Sequence, residues 1–195
     1  GSKIEDRRPV LNPQSSILDP QSSILDPHPE PPLHLSVPQL TADLPGIGGT
    51  IKAIPEDFVV EEIPSYEPNG EGDHLFLWVE KRGVAAEELT RHIARSLGIA
   101  TGEVGAAGMK DRHAVTRQFV SVPSAVADRV DAINSSHIQV LSARRHSQKL
   151  RTGHLRGNRF RILVRDVPPD AAQRAEPIRE MLRRSGLPNF YGAQR

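Results

Sequence analysis

One carboxylate stands alone in a cationic stretch. In AGMKDRHAVTRQF, residues 107–119, Asp111 lies between Lys110 and Arg112 and follows Gly108. Two readings compete for it. A lone Asp after a glycine is a common turn residue, its side chain accepting backbone N–H groups. It is also the group a one-acid reaction would use. Hydrolysing a glycoside usually takes two carboxylates, one acid and one base or nucleophile. Isomerising a nucleoside needs one: the carboxylate attacks the sugar carbon or removes a sugar proton, and the freed base rotates and rejoins. An ionised Asp111 suits either role, and Lys110, Arg112 or a remote cation would favour its charged form.

The second chemical signal is a run of cations. From Arg144 to Arg161 stand Arg144, Arg145, Lys149, Arg151, Arg156, Arg159 and Arg161, with no Asp or Glu among them. Such a stripe is the footprint expected for a phosphate backbone, with a merely solvated basic face as the alternative. A base buried in an RNA fold must be unstacked at a cost of a few kcal/mol. Aromatic stacking returns about 1–3 kcal/mol per base. Phe58 and Phe160 are the candidate rings, and for Phe160 core packing on a strand is the competing role. His113 reads as a turn residue. His146 and His154 lack metal-ligand spacing, so no metal is expected.

Composition narrows the classes. The 195 residues allow one or two domains, and 37% hydrophobic content supports a core over much of the length. A net charge of +1 means that only a local cluster can point to nucleic acid. There is no cysteine, which excludes thiolate nucleophiles and zinc-thiolate sites and makes a reducing, cytoplasmic home the simpler expectation. No apolar run approaches the roughly 20 residues of a membrane span, so no membrane partner is expected.

The elements that must position these groups follow from periodicity. Residues 1–45 are proline-dense, with PQSSILD in tandem at 13–19 and 20–26. Proline in each repeat blocks a coiled coil, and a disordered or PPII-like leader is expected. An ordered domain over 46–195 follows. GTIKAI and PEDFVVEEI read as strands, NGEGDH as a turn, and HLFLWVEK as a strand apolar on both faces. Leu89, Ile93 and Leu97 mark a helix that stops at Gly98. TRQFVSV, HIQVLSARR and GNRFRILVRDV read as strands, and SAVADRVDAIN as a short helix. DAAQRAEPIREMLRRSG reads as a last helix, with Asp170 its N-cap and Pro177 a kink or late start. The tail LPNFYGAQR is loop-like. The fold class is α+β, a mixed or antiparallel sheet with helices on one face.

Several segments in fixed order, PEDFVVEE, NGEGDH, GMKDRHAVTRQF, HLRGNRF and NFYGAQR, resemble the TruD family of tRNA pseudouridine synthases. The resemblance runs from about Gly48 to Arg195. It implies the N-terminal part of that family's catalytic domain. It implies conversion of a uridine at position thirteen of certain tRNAs to pseudouridine, with no metal or organic cofactor. It makes Asp111 the catalytic carboxylate and places Phe58, Asn158 and Phe160 against the target nucleotide. An amide such as Asn158 can pair with both a donor and an acceptor edge. The basic residues Arg144, Arg145, Lys149, Arg151 and Arg156 are expected along the RNA backbone. Phe190-Tyr191 reverses the family's aromatic order, and Arg195 falls inside the tail motif. The rest of the family's sheet is therefore expected to be missing and activity reduced. A non-catalytic RNA-binding module, an inactive fragment and a structural domain remain the rival readings.

Overall fold

The computed structural model describes residues 40–187. The tandem repeat and NFYGAQR lie outside the described residues. The strands are β1 (Phe58–Pro64), β2 (His74–Arg82), β3 (Gly105–Ala106), β4 (Val115–Pro123), β5 (Ile138–His146) and β6 (Leu155–Ile162), with helices α1 (Ala86–Leu97) and α2 (Ala171–Ser185). They build one six-stranded sheet in the order β5-β2-β4-β1-β6, with β3 paired to β4. Only β1 and β4 run parallel; every other pairing is antiparallel. The fold is α+β with a mixed sheet.

β2 carries the core on both its faces. Leu75, Leu77 and Val79 pack with Leu89, Ile93 and Leu97 of α1 and with Val126, Val130 and Ile133. Phe76 packs on the opposite face with Phe119 and Leu150, next to Tyr66 and Trp78. Each such side chain contributes about 1.5–3 kcal/mol by leaving water. α1 ends at Gly98, whose left-handed φ of 65° lets its N–H reach the carbonyls of Ala94 and Arg95.

One local expectation fails and three are refined. GTIKAI forms no strand: Thr50 makes a single bridge to Arg165, and the left-handed Lys52 (φ 58°) breaks extended pairing. SAVADRVDAI is a 3₁₀ helix over Ser124–Ile133. Asp170 sits at the N-cap of α2, but its carboxylate pairs with Arg174 at 2.8 Å and bonds no backbone N–H. α2 runs through Pro177 and buries none of its residues.

Register places the remaining groups. Across the sheet, Lys81, Thr116, Val60 and Phe160 are successive partners and share one face. Val79 and Gln118 lie on that face too, and so do Glu62 and its β6 partner Asn158. α1 and the 3₁₀ segment cover its β5-β2-β4 half. The β1–β6 half belongs to the loop between β3 and β4, which carries Asp111.

The entry to β1 is tied to the chain leaving β6. Arg165 donates twice to the buried Asp57 carboxylate, at 2.8 and 2.7 Å, and Leu163 N–H donates to Asp57 O at 2.8 Å. The Arg165 hydrogen bonds hold the Asp57 carboxyl below the usual carboxylate range. A carboxyl lowered by folding stabilises the protein above its unfolded value of about 4, and that stabilisation is lost as pH falls through the lower folded value. Asp57→Asn is therefore expected to weaken the protein at neutral pH. The gap from wild type should close below about pH 4, as read by urea unfolding over a pH series.

Candidate active site

The Asp111 loop crosses the sheet because β4 has a gap along one edge. β1 pairs with Val115–Arg117 and β3 pairs with Val120 and Ser121. Between them the Phe119 N–H would have no strand partner. Glu62 fills the gap: its Oε1 accepts that N–H at 3.3 Å, and its Oε2 accepts Lys110 Nζ at 2.8 Å. Both side chains are buried, 3% exposed for Lys110 and 0% for Glu62. Lys110 is thus turned into the protein and anchors the loop one residue before Asp111.

A second lysine holds the other side. Lys81 Nζ donates to the carbonyls of Val84 and Asp111, each at 2.7 Å. Burial pushes its ammonium down to about 8, with Asp111 opposing the shift and Lys110 reinforcing it.

The Asp111 side chain projects outward, 57% exposed, with Lys52 Nζ 3.9 Å from Oδ2. The same Nζ sits 3.9 Å from the Phe58 ring centroid. Phe58 and Phe160 follow, 5.8 Å apart and tilted by 37°. Phe58 is buried in the floor, whereas Phe160 is 54% exposed. Phe160 is not a core residue, and its open ring is the kind on which a base can stack. Asn158, one strand position away on the same face, has a buried Oδ1 with no hydrogen-bond partner among the described residues. Asp111, Phe58, Phe160 and Asn158 therefore come together on one half-face.

Of the cations the sequence offers Asp111, namely Lys110, Arg112 or a remote one, the structure places a remote one beside it. Lys110 points inward to Glu62, and Arg112 makes no ion pair with Asp111 among the described residues. Lys52, absent from the sequence reading, takes that place. It stands six residues before Phe58 in IKAIPEDF with no periodic signal to mark it. The left-handed turn at Lys52 and the bridge from Thr50 to Arg165, beyond the end of β6, bring it to the loop.

The basic run does not gather around Asp111. Arg144 and Arg145 lie where β2 begins and β4 ends, whereas Asp111 lies where β4 begins. From Val115 to Val122 is roughly 23 Å of strand at ~3.3 Å per residue. Arg144 lines a cleft with Glu61, Glu67 and Trp78. Arg145 donates to Gly72 O at 3.2 Å, and Lys149 donates to Gly102 O. Arg151 is exposed on the crossing to β6, and Arg156 is exposed within β6, two residues before Asn158. Arg159 pairs with Glu61 at 3.3 Å, so acids remote in sequence meet part of the run. His146 and His154 converge on Tyr66, one stacked at 5.1 Å and the other hydrogen-bonded to its hydroxyl at 2.7 Å.

These features define an α+β domain that brings Asp111, Phe58, Phe160 and Asn158 to one half of a mixed sheet. The family model for tRNA pseudouridine synthase D (TruD) matches residues 34–195. The chain belongs to the TruD family. It is 54% identical to the tRNA pseudouridine synthase D of Geobacter metallireducens and 51% to that of Syntrophotalea carbinolica, each over 156 residues, covering 80% of this chain and 39% of the relative. A Thermus thermophilus protein of the same name is 46% identical over 159 residues, 81% of this chain and 44% of its own. The crystal structure of the putative TruD from Methanosarcina mazei superposes with a TM-score of 0.71 at 32% identity, covering 81% of this chain and 37% of that one. The chain spans about two fifths of the length of the curated relatives it matches. No helix among the described residues is long and apolar enough to cross a membrane.

Removing one member of a buried ion pair costs about 3–5 kcal/mol, because the other is left uncompensated. Glu62→Ala is expected to lose that much in urea unfolding. Glu62→Met with Lys110→Met should recover most of it. A remainder of about 1–3 kcal/mol should persist for the unpaired Phe119 N–H.

Proposed function

We propose that this chain is the Asp111-bearing part of a tRNA pseudouridine synthase, converting a uridine to pseudouridine at position thirteen of its tRNA in the cytoplasm without metal or organic cofactor. The observation that carries the reading is the row from Asp111 through Lys52 and Phe58 to the open ring of Phe160. One carboxylate faces solvent with the Lys52 ammonium 3.9 Å away. A flipped uracil can stack on Phe160, and Asn158 has the amide to pair with its edge once the side chain turns outward. The carboxylate then attacks the ribose carbon, or removes a ribose proton, as the bond from the sugar to uracil N1 breaks. The freed uracil turns and bonds to the sugar through C5, displacing the carboxylate or with the proton returned to the sugar, and the C5 proton is lost as N1 gains one. The names of the relatives, tRNA pseudouridine synthase D, support the same reaction.

The basic residues fit a separate role. Arg145 and Lys149 lie at the far end of the strands, whereas Arg151 and Arg156 flank the β6 entry beside the loop that carries Asp111. Together they would hold backbone while a nucleotide enters the site. A non-catalytic RNA-binding module draws on the same observation. β6 ends the strand order on one side, with Phe160, Ile162 and the following Leu163 exposed, and this chain alone is expected to turn over more slowly than a protein of its relatives' length.

The test is pseudouridine mapping in tRNA after incubation with the protein. Asp111→Ala should lower the rate by about 10²–10⁴-fold. Lys52→Met should lower it about fivefold, the factor matching about 1 kcal/mol of half-exposed pairing. RNA binding without product, in a protein of full family length, would favour the binding module.

Arg145→Ala, Arg151→Ala and Arg156→Ala should each weaken tRNA binding and reduce the slope of log affinity against log salt by about 1 per lost phosphate contact. The rate at saturating tRNA should hold. Unchanged affinity in all three would make the cluster a solvated face.

A further inference from the structure

Lys81 has no role in the reaction outlined above, yet it is the most enclosed cation in the site. It lies near the end of β2 with 0% exposure, on the same face as Val60 and Phe160. No carboxylate forms an ion pair with it among the described residues. Its Nζ donates to two main-chain carbonyls, Val84 O and Asp111 O, each at 2.7 Å. Desolvating an ammonium without a paired carboxylate is costly, and an apolar side chain of similar length could fill the space. One of the two carbonyls closes the turn after β2, and the other belongs to the proposed reacting residue. The ionisable groups that influence Lys81 are the Asp111 carboxylate and Lys110, the latter turned toward Glu62.

We infer that Lys81 is a positioning residue: its ammonium pins the Asp111 carbonyl to the end of β2 and so sets where the Asp111 carboxylate stands relative to Phe160. The inference rests on the reading of Asp111 as the reacting carboxylate. Lys110 holds the chain just before Asp111, and Lys81 holds Asp111 itself. With the main chain fixed on both sides, only side-chain rotation remains to aim the carboxylate. A displacement of about 1 Å at such a group can cost on the order of 100-fold in rate.

The test begins with backbone hydrogen exchange in this chain. In Lys81→Met, amides of residues 108–113 should exchange about tenfold faster while those of β2 and β4 hold. Because the chain contains no cysteine, Lys81→Cys provides a single thiol. Alkylating it with 2-bromoethylamine in the unfolded state and refolding restores an ammonium at nearly the native length, and loop protection should return. Loop exchange identical in Lys81→Met and wild type would overturn the inference. If Lys81→Met does not fold, the wild-type chain decides: its Lys81 ammonium protons should be slow to exchange and show cross-peaks to the Val84 and Asp111 α-protons. An ammonium in free exchange with water would overturn the inference equally.

With tRNA, single-turnover rate should fall on the order of 100-fold in Lys81→Met, with tRNA affinity unchanged and the alkylated Lys81→Cys protein recovering rate. An unchanged rate would refute the positioning role. A wild-type protein of full family length that forms no pseudouridine would instead count against the proposed function, and the exchange experiment would still decide whether Lys81 holds the loop.

Discussion

The buried ion pair between Glu62 and Lys110 is the contact on which the site depends. It exists because β4 is flanked on one edge by two strands that do not meet. Their gap exposes the Phe119 N–H, and Glu62 answers it with one oxygen. The other oxygen must then be neutralised inside the protein, and Lys110 does so from the loop. Sheet topology thereby dictates the side chain next to Asp111. Since a buried charge cannot lose its partner cheaply, the loop is held down at that point.

The two halves of this sheet face are built differently. Under α1 the contacts are apolar, with Leu77, Val79, Leu89, Ile93 and Leu97 in one cluster. Under the Asp111 loop they are polar and charged: Lys81, Glu62 and Lys110, with Thr116 and Gln118 holding buried oxygens that lack hydrogen-bond partners among the described residues. Such partly satisfied polar groups cost stability. Their concentration beneath one loop matches a surface arranged around a chemical task. The apolar half supplies the stability that the polar half spends.

Much of the scaffold could be read from residue order. The spacing of Leu89, Ile93 and Leu97 with Gly98 beyond specified α1, and unbroken apolarity marked β2 as covered on both faces. Residue chemistry points to Asp111, Phe58 and Phe160, the motif resemblance adds Asn158, and the structure gathers all four on one face. What stayed hidden depends on contacts between distant segments. Lys52 reaches Asp111 from 59 positions away through a left-handed turn that no periodicity announces. Lys110 is one of three cations the sequence offers Asp111, yet the gap beside Phe119 draws it inward. The basic run looked continuous, but strand geometry sends Arg144 and Arg159 to acids of β1 or its following loop and puts Arg145 at the far end from Asp111.

The central claim is that the reacting ribose lies at Asp111 with its base over Phe160. A structure of the protein bound to tRNA, or to an oligonucleotide carrying the target uridine, tests it most directly. The account predicts the uridine out of its stack, its ribose carbon about 3–3.5 Å from an Asp111 oxygen and its ring against Phe160. A target nucleotide seated on the opposite face of the sheet, or among Arg145, Lys149 and Arg151 with Asp111 in solvent, would contradict it.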